Sequence, residues 1–236
     1  MLCLGGFMLK RIFDIIVSTV AIVLLLPLFL VIALLLKLET PGPVFFLQTR
    51  VGLNGHSFKM YKFRKFAHGA TGGPGVTMVK DPRMTKMGKI LERFKLDEIP
   101  QFINVLFGQM SIVGPRPETP NFVNYFKPSD YDVLKVKPGI FGINQLIYRR
   151  EADHFPKDSD PELFYIEKLM PEKLKNDIHY NKNATVFSDM SIAIRCIFAV
   201  VVEPFSSRWK RMIREHQDQR AAMNTTEKDF SPNIKL

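Results

Sequence analysis

The chain has 236 residues, which leaves room for one globular domain with appendages and excludes a large multidomain machine. Apolar residues make up 46% and charged residues 24%, enough apolar content to bury a core and too much for wholesale disorder. Thirty-three Lys and Arg against 23 Asp and Glu leave a net charge of +10, a balance that suits polyanions such as nucleic acid, anionic lipid or phosphorylated small molecules without choosing among them.

A short N-terminal segment, residues 1–11, ends on Lys10 and Arg11. Residues 12–36 then run 25 positions with only Asp14, Ser18 and Thr19 as polar interruptions. At 1.5 Å per residue this is about 37 Å of helix, enough to cross a hydrocarbon core of about 30 Å. Lys37-Leu38-Glu39-Thr40-Pro41 follows instead of the small residues of a cleavage site, which argues against a removed secretory signal. Pro27, near the middle, removes one intrahelical hydrogen bond and clashes with the carbonyl four residues back, so a membrane break is expected there. Basic residues flank both ends, and positive charge favours the cytoplasmic side. A kinked spanning anchor and a re-entrant helix both remain open on these grounds, and either makes the protein a membrane resident.

Thr40-Pro41-Gly42-Pro43 starts a new unit. Residues 44–50 and 57–63 read as two strands around Asn54-Gly55, a hairpin signal because both positions tolerate positive φ. The glycine-rich stretch 66–80 reads as a mobile loop, open to use as a lid or as plain surface. Helical patterns follow over 84–95, 97–107, 129–135 and 161–179, with a proline-rich elbow at 114–120. Residues 190–202 are apolar apart from Ser191 and Arg195 but too short to span. With Phe205, Trp209, Lys210, Arg211 and Arg214 beyond them, the segment 191–214 suits an interfacial amphipathic helix, a buried core helix being the alternative. Residues 215–236 are polar and expected to be disordered. The two cysteines, Cys3 and Cys196, stand far apart with no CxxC or Cys/His cluster, so neither a disulfide framework nor a zinc site is supported and a reducing, cytosol-facing compartment fits.

Between Thr40 and Lys80 stand six Lys or Arg and no acid, and the next 15 residues add Arg83, Lys86, Lys89, Arg93 and Lys95 against two acids. This charge reads either as a solvated face drawn to anionic lipid or as a phosphate site using Lys62, Arg64 and Arg93. Asp97 and Glu98 open an apolar pattern of Ile99, Phe102, Ile103 and Leu106, so Asp97 sits where a helix N-cap belongs and capping explains both acids without function. Adjacent carboxylates there also suit phosphoryl chemistry, one attacking phosphorus or holding Mg²⁺ while the other handles a proton. The two roles are compatible. Gly114-Pro115-Arg116-Pro117 encloses an arginine between prolines, either a rigid elbow or a guanidinium preorganised for bidentate phosphate binding. Lys137-Pro138-Gly139-Ile140-Phe141-Gly142 is a tight loop whose glycines could admit a ligand near the backbone.

Taken in order, these pieces resemble the bacterial sugar transferase family, monotopic phosphoglycosyl transferases that start glycan assembly on polyprenyl phosphate. The resemblance runs from about Lys10 to Ile197. It is carried by Lys10-Arg11-Ile12-Phe13-Asp14, Pro27, Pro41-Gly42-Pro43-Val44-Phe45-Phe46, Tyr61-Lys62-Phe63-Arg64, Leu96-Asp97-Glu98-Ile99-Pro100-Gln101, Asn104-Val105-Leu106, Gly108-Gln109-Met110-Ser111, Gly114-Pro115-Arg116-Pro117 and Lys137-Pro138-Gly139-Ile140.

The resemblance implies an α+β, mainly helical monotopic membrane protein. Residues 12–36 would form a re-entrant membrane helix at the cytoplasmic face of a bacterial inner membrane, 37–190 a catalytic domain with a small β-hairpin, and 191–214 the interfacial helix. It implies a UDP-sugar donor, Mg²⁺ and a ping-pong reaction. The aspartate matching Asp97, also the matching Mg²⁺ ligand, attacks the sugar-linked phosphate, UMP leaves, and polyprenyl (undecaprenyl) phosphate takes the phosphosugar from the ester. Glu98 matches the proton-handling acid, Arg93 and Arg116 match cations for phosphate or uridine, Lys62 matches a basic position of the same site, and Asp189 an acidic one before the C-terminal helix. The expected partners are these substrates and an anionic bilayer, without nucleic acid, and a homo-oligomer is compatible with them. Leu26, where many relatives carry Ser, and Gln145-Leu146-Ile147-Tyr148-Arg149-Arg150 depart from the family pattern, so donor-sugar selectivity does not carry over. Residues 198–236 inherit nothing. The competing readings are a membrane-tethered polyanion binder, indifferent to Asp97, and a noncatalytic scaffold in which both acids only cap.

Overall fold

A computed structural model describes residues 2–67, 69, 81, 83–149, 151–156 and 160–202. Residues 1–196 form one compact unit and 197–236 a second, of which the described part, 197–202, completes the last helix. The expected loop at 66–80 and the tail at 215–236 lie almost wholly or wholly outside the described residues.

The order of elements follows the sequence pattern closely at the start. Helix α1 runs over Leu2–Glu39 with Pro27 inside it, and the antiparallel hairpin pairs β1, Phe45–Val51, with β2, Ser57–Phe63. Asn54 (φ 54°) and Gly55 (φ 81°) both take the left-handed conformation at the tip, as the Asn-Gly signal requires. Helix α2 spans Lys86–Arg93, its first turn capped by the Thr85 hydroxyl accepting from the Gly88 amide.

The single helix expected over 97–107 is two pieces. A 3₁₀ turn covers Leu96–Glu98 after Lys95 in the left-handed region (φ 55°), and α3 covers Gln101–Leu106. Pro100 is the reason: it lacks an amide proton and its ring clashes with the carbonyl four residues back, so a regular helix cannot run through it. The pattern over 129–135 also tightens to a 3₁₀ segment, Asp130–Lys135. Residues 161–182 form α6 (Pro161–Phe164), a π turn (Tyr165–Leu169) and α7 (Met170–Lys182). Pro171 in the first turn of α7 explains the π turn, since its missing N–H frees a carbonyl of the preceding turn. Helix α8, Val186–Val202, begins five residues before the expected interfacial segment, whose part beyond 202 lies outside the described residues.

One pairing was not expected. Strand β3, Ser111–Val113, pairs in parallel with β4, Gly139–Phe141, and α4 (Pro120–Val123) lies between them in the chain while α5 (Ile143–Ile147) follows. The glycines that flank this crossing serve backbone contact with backbone. A Cβ on Gly139 would sit 2.1 Å from the Gly114 nitrogen, and one on Gly114 would sit 2.4 Å from the Lys137 carbonyl oxygen. The Pro-Gly loop therefore lets two chain segments cross, where the sequence suggested room for a ligand. Gly139→Ala is expected to destabilise the protein by about 2 kcal/mol or more, because the clash is with backbone and cannot be relieved by a rotamer change. A drop in the denaturation midpoint of the detergent-solubilised variant checks this.

Three apolar clusters hold the unit together. The first gathers Phe58 and Met60 of β2, Phe102 and Val105 of α3, Ile112 of β3, Ile140 of β4 and Ile192 of α8, with Phe13, Val17 and Leu25 of α1 packed on it. The second joins Phe63 of β2 and Leu91 of α2 to Ile32 and Leu36 of α1. The third lies under α4, α6 and α7 around Phe122, Tyr165, Met170 and Leu174. Helix α1 thus packs one face along the body at both halves, while Leu24, Leu30, Leu34 and Leu38 on its other face are exposed.

A buried carboxylate adds pH dependence to this packing. Asp177 of α7 is pushed up to about 7 by burial, which outweighs its bond to Asn144 and the nearby Lys173. Its native form holds a proton that the unfolded chain has lost above about pH 4, so stability falls as pH rises from about 4 to 7 and then levels. Asp177→Asn is expected to flatten that dependence by up to about 4 kcal/mol, measured as denaturation midpoints across the range.

Candidate active site

Three elements bring the charged groups together. The hairpin offers Lys62 from β2, the 3₁₀ turn offers Asp97 and Glu98, and the elbow after β3 offers Arg116. Asn104 of α3, fully buried, fixes the hairpin to this frame. Its side-chain oxygen accepts from the Tyr61 amide (2.9 Å) and its amide nitrogen donates to the Lys59 carbonyl (2.7 Å) and to Gln109 Oε1 (2.8 Å). At the other side, the Gly139 amide donates to the Pro115 carbonyl and Arg50 Nη1 to the Pro117 carbonyl, both at 2.9 Å, so the backbone on each side of Arg116 is tied down.

Glu98 is the hub. Arg116 Nη2 donates to its Oε1 at 2.6 Å and Nη1 to its Oε2 at 3.2 Å, the parallel fork expected of a guanidinium and a carboxylate. Lys62 Nζ lies 3.3 Å from Oε1. Burial opposes charge on Glu98, but Arg116 and Lys62 together outweigh it and hold the carboxyl well below its usual range. Burial in turn pushes the Lys62 ammonium down to about 8, against the attraction of Glu98.

Asp97 stands in contrast to its neighbour. It is 4% exposed, and its Oδ1 is buried with no hydrogen-bond partner. Burial, followed by the charge of Glu98, raises its proton affinity. The expected capping role is absent: the residue lies inside the 3₁₀ turn, Lys95 occupies the cap position, and α3 starts only after Pro100. A buried carboxylate oxygen with no partner is costly to keep, so capping no longer accounts for it.

The contacts described for the remaining expected site residues are with other partners than the Glu98 group. Arg64 turns to the C-terminal end of α1, donating from Nη2 to the Thr40 carbonyl (3.0 Å) and hydroxyl (2.8 Å) and to the Leu36 carbonyl (3.3 Å), and from Nη1 to the Pro41 carbonyl. Cations favour helix C-termini, so this bonding is structural. Asp189 is buried and paired with Lys10 and with the Tyr180 hydroxyl (2.7 Å); these partners, not the Glu98 group, are what the fold gives it. Lys10 also donates to the Val113 carbonyl (3.2 Å), three residues before Arg116. Arg93 ends α2, exposed, its guanidinium 5.7 Å from the Phe94 ring centre. Pro27 lies on the exposed face of α1. Sequence reasoning missed Arg50, Glu118, Glu151, Tyr165 and Lys173, which surround the elbow. The Pro117-Glu118 junction was the available signal for one of them; Tyr165 meets Glu118 across 47 positions and had none.

Among the described residues no three His, Cys, Asp or Glu cluster as a metal site. The arrangement does suit a cation that takes one or two protein carboxylates and completes its shell with substrate phosphates, as Mg²⁺ does, because Asp97 Oδ1 is a buried carboxylate oxygen without a hydrogen-bond partner and the neighbouring Glu98 is engaged by Arg116 and Lys62.

The family model described as bacterial sugar transferase matches residues 6–203. A UDP-N-acetylgalactosamine-undecaprenyl-phosphate N-acetylgalactosaminephosphotransferase from Aeromonas hydrophila is 36% identical, over 82% of this chain and 44% of its own length. A UDP-glucose:undecaprenyl-phosphate glucose-1-phosphate transferase from Escherichia coli (strain K12) is 38% identical, over 81% of this chain and 40% of its own. The chain thus spans about two fifths of these relatives. The exopolysaccharide production protein PSS from Rhizobium leguminosarum bv. phaseoli is 36% identical, over 82% of this chain and 94% of its own.

Proposed function

The chain belongs to the bacterial sugar transferase family, and from that premise we propose that it is a phosphoglycosyl transferase that moves a phosphosugar from a UDP-sugar to undecaprenyl phosphate through an ester on Asp97. The observation that carries this reading is the pairing of an uncommitted buried carboxylate, Asp97, with an adjacent one, Glu98, held ionised by Arg116 and Lys62.

In the first half-reaction an Asp97 oxygen attacks the sugar-linked phosphorus. The phosphoanhydride bond breaks, and UMP leaves with the bridging oxygen and its electron pair. A carboxylate of raised proton affinity is the stronger nucleophile once ionised. Lys62 and Arg116 orient the diphosphate and offset the charge that builds on its oxygens. In doing so they are drawn off Glu98, whose proton affinity rises towards that of a usable base. In the second half-reaction an oxygen of the lipid phosphate attacks the same phosphorus, Glu98 takes any proton that oxygen carries, and the Asp97 carboxylate is released. Mg²⁺, held by Asp97 and the substrate phosphates, would supply Lewis-acid neutralisation of the diphosphate. Arg93, four residues before Asp97, serves as an outer cation for the nucleotide.

The same frame supports a membrane setting. Arg11, before the apolar run, donates to the Val105 (2.6 Å) and Leu106 (2.8 Å) carbonyls, and Arg64 binds the carbonyl of Leu36 at its end. Both ends of the run are therefore fastened to one body, which supports a re-entrant helix at the cytoplasmic face over a spanning one. The exposed outer face of α1, the exposed Phe45, Phe46 and Leu47 of β1, and Phe187 and Ile194 of α8 supply apolar surface for the bilayer. Phe46 lies directly across the hairpin from Lys62, so an apolar surface adjoins the cation that would meet the lipid phosphate.

The test is a donor-only reaction. A panel of UDP-sugars with Mg²⁺ and no lipid should release UMP in a burst of about one equivalent with the cognate donor, and intact-mass analysis should find the phosphosugar adduct on the chain. UMP release that requires the lipid phosphate for every donor would replace this scheme with direct transfer.

A further inference from the structure

A second set of linked charges, centred on the buried Lys173, surrounds the elbow, and the chemistry above makes no use of it. Lys173 of α7 is only 7% exposed, and lysine is rarely buried unless paired. Its ammonium lies 3.1 and 3.0 Å from the two carboxylate oxygens of Glu151 and donates to the Tyr165 hydroxyl at 3.2 Å. That hydroxyl donates to Glu118, two residues beyond Arg116. The backbone at Glu118 is itself fixed, its carbonyl accepting from the Val51 amide at 2.9 Å.

Arg116 therefore feels more than one carboxylate. Glu98 binds it directly, and Glu151 is close enough to add to the attraction that Arg116 feels. A partly buried carboxylate seeks a nearby cation, and Lys173, engaging both its oxygens, keeps Glu151 from competing for the guanidinium. An apolar residue at 173 would serve packing in the cluster around Tyr165, Met170 and Leu174 equally well, so packing does not account for a charge there.

We propose that Lys173 is a positioning residue for the transferase reaction: by neutralising Glu151, and through Tyr165 anchoring Glu118, it keeps the Arg116 guanidinium on the Glu98 side where the donor diphosphate binds. The inference rests on the reading of Arg116 as a donor-phosphate group.

The test uses the full chain in lipid nanodiscs, with donor-dependent UMP release read as separate kcat and KM and with thermal unfolding in parallel. Lys173→Met keeps the aliphatic stem and frees Glu151; donor KM should rise about tenfold, with the larger part of the effect in KM. Adding Glu151→Gln removes the competitor and should return KM to within about twofold of the parent. A double variant as impaired as the single one, or a stable single variant with unchanged KM, overturns the proposal. If Lys173→Met does not fold, Tyr165→Phe carries the decision: removal of its one hydroxyl should raise donor KM in the same direction, and an unchanged KM overturns the proposal. Arg116→Ala is the control, since an unchanged donor KM in that variant would locate the error in the reading of Arg116 itself.

Discussion

Asp97→Asn is expected to lower UMP release by at least about 10³-fold, ~4 kcal/mol of transition-state stabilisation, and to abolish the covalent adduct. The amide oxygen is a far weaker nucleophile toward phosphorus than a carboxylate of almost the same shape. The variant should fold as well as the parent or better. Asp97 makes no capping bond that Asn would have to replace, and Asn removes a carboxylate whose burial disfavours its charge. The discriminating pattern is therefore lost chemistry with an unchanged or raised unfolding midpoint. Turnover near that of the parent would remove Asp97 as the nucleophile.

Arg116→Ala carries the second large effect. It deletes both fork contacts to Glu98 and leaves a buried carboxylate facing Lys62 alone. Losing one partner of a buried ion pair costs about 3 kcal/mol or more, and donor kcat/KM is expected to fall about 10²-fold or further. The pH profile should change with it. In the parent, Arg116 and Lys62 overcome burial and keep Glu98 ionised far into the acid range, so the acid limb of the rate does not report Glu98 near neutrality. Without Arg116 burial dominates, the Glu98 pKa rises, and the acid limb should move up by more than about one pH unit. Arg116→Lys should recover charge but not the two-point geometry, so its kcat/KM should fall between the parent and the alanine variant.

Much of the site was legible because its residues are close in sequence or enclosed by residues of strong conformational character. Asp97 and Glu98 are adjacent, the prolines on each side of Arg116 announce a fixed segment, and Asn54-Gly55 marks the hairpin that carries Lys62. Arg64 and Asp189 show where local reading ends. Each sits in a basic or conspicuous stretch, yet the fold spends Arg64 on the carbonyls at the end of α1 and Asp189 on Lys10 and Tyr180. The capping role of Asp97 failed because the turn begins earlier, with Lys95 at its cap position, and α3 starts only after Pro100.

The chain by itself determined the apolar α1, the hairpin, the proline breaks and the order of charged residues, because these depend on steric and hydrophobic preferences acting over a few positions. Only tertiary structure decided which charges meet. The β3–β4 pairing fixes the elbow so that Arg116 reaches Glu98, which takes both cations, while Asp97 is left buried with an unpartnered oxygen and Lys173 takes Glu151. The strength of an ion pair and the cost of burying a carboxylate are set by distance and solvent exclusion, and both depend on residues brought together from remote parts of the chain.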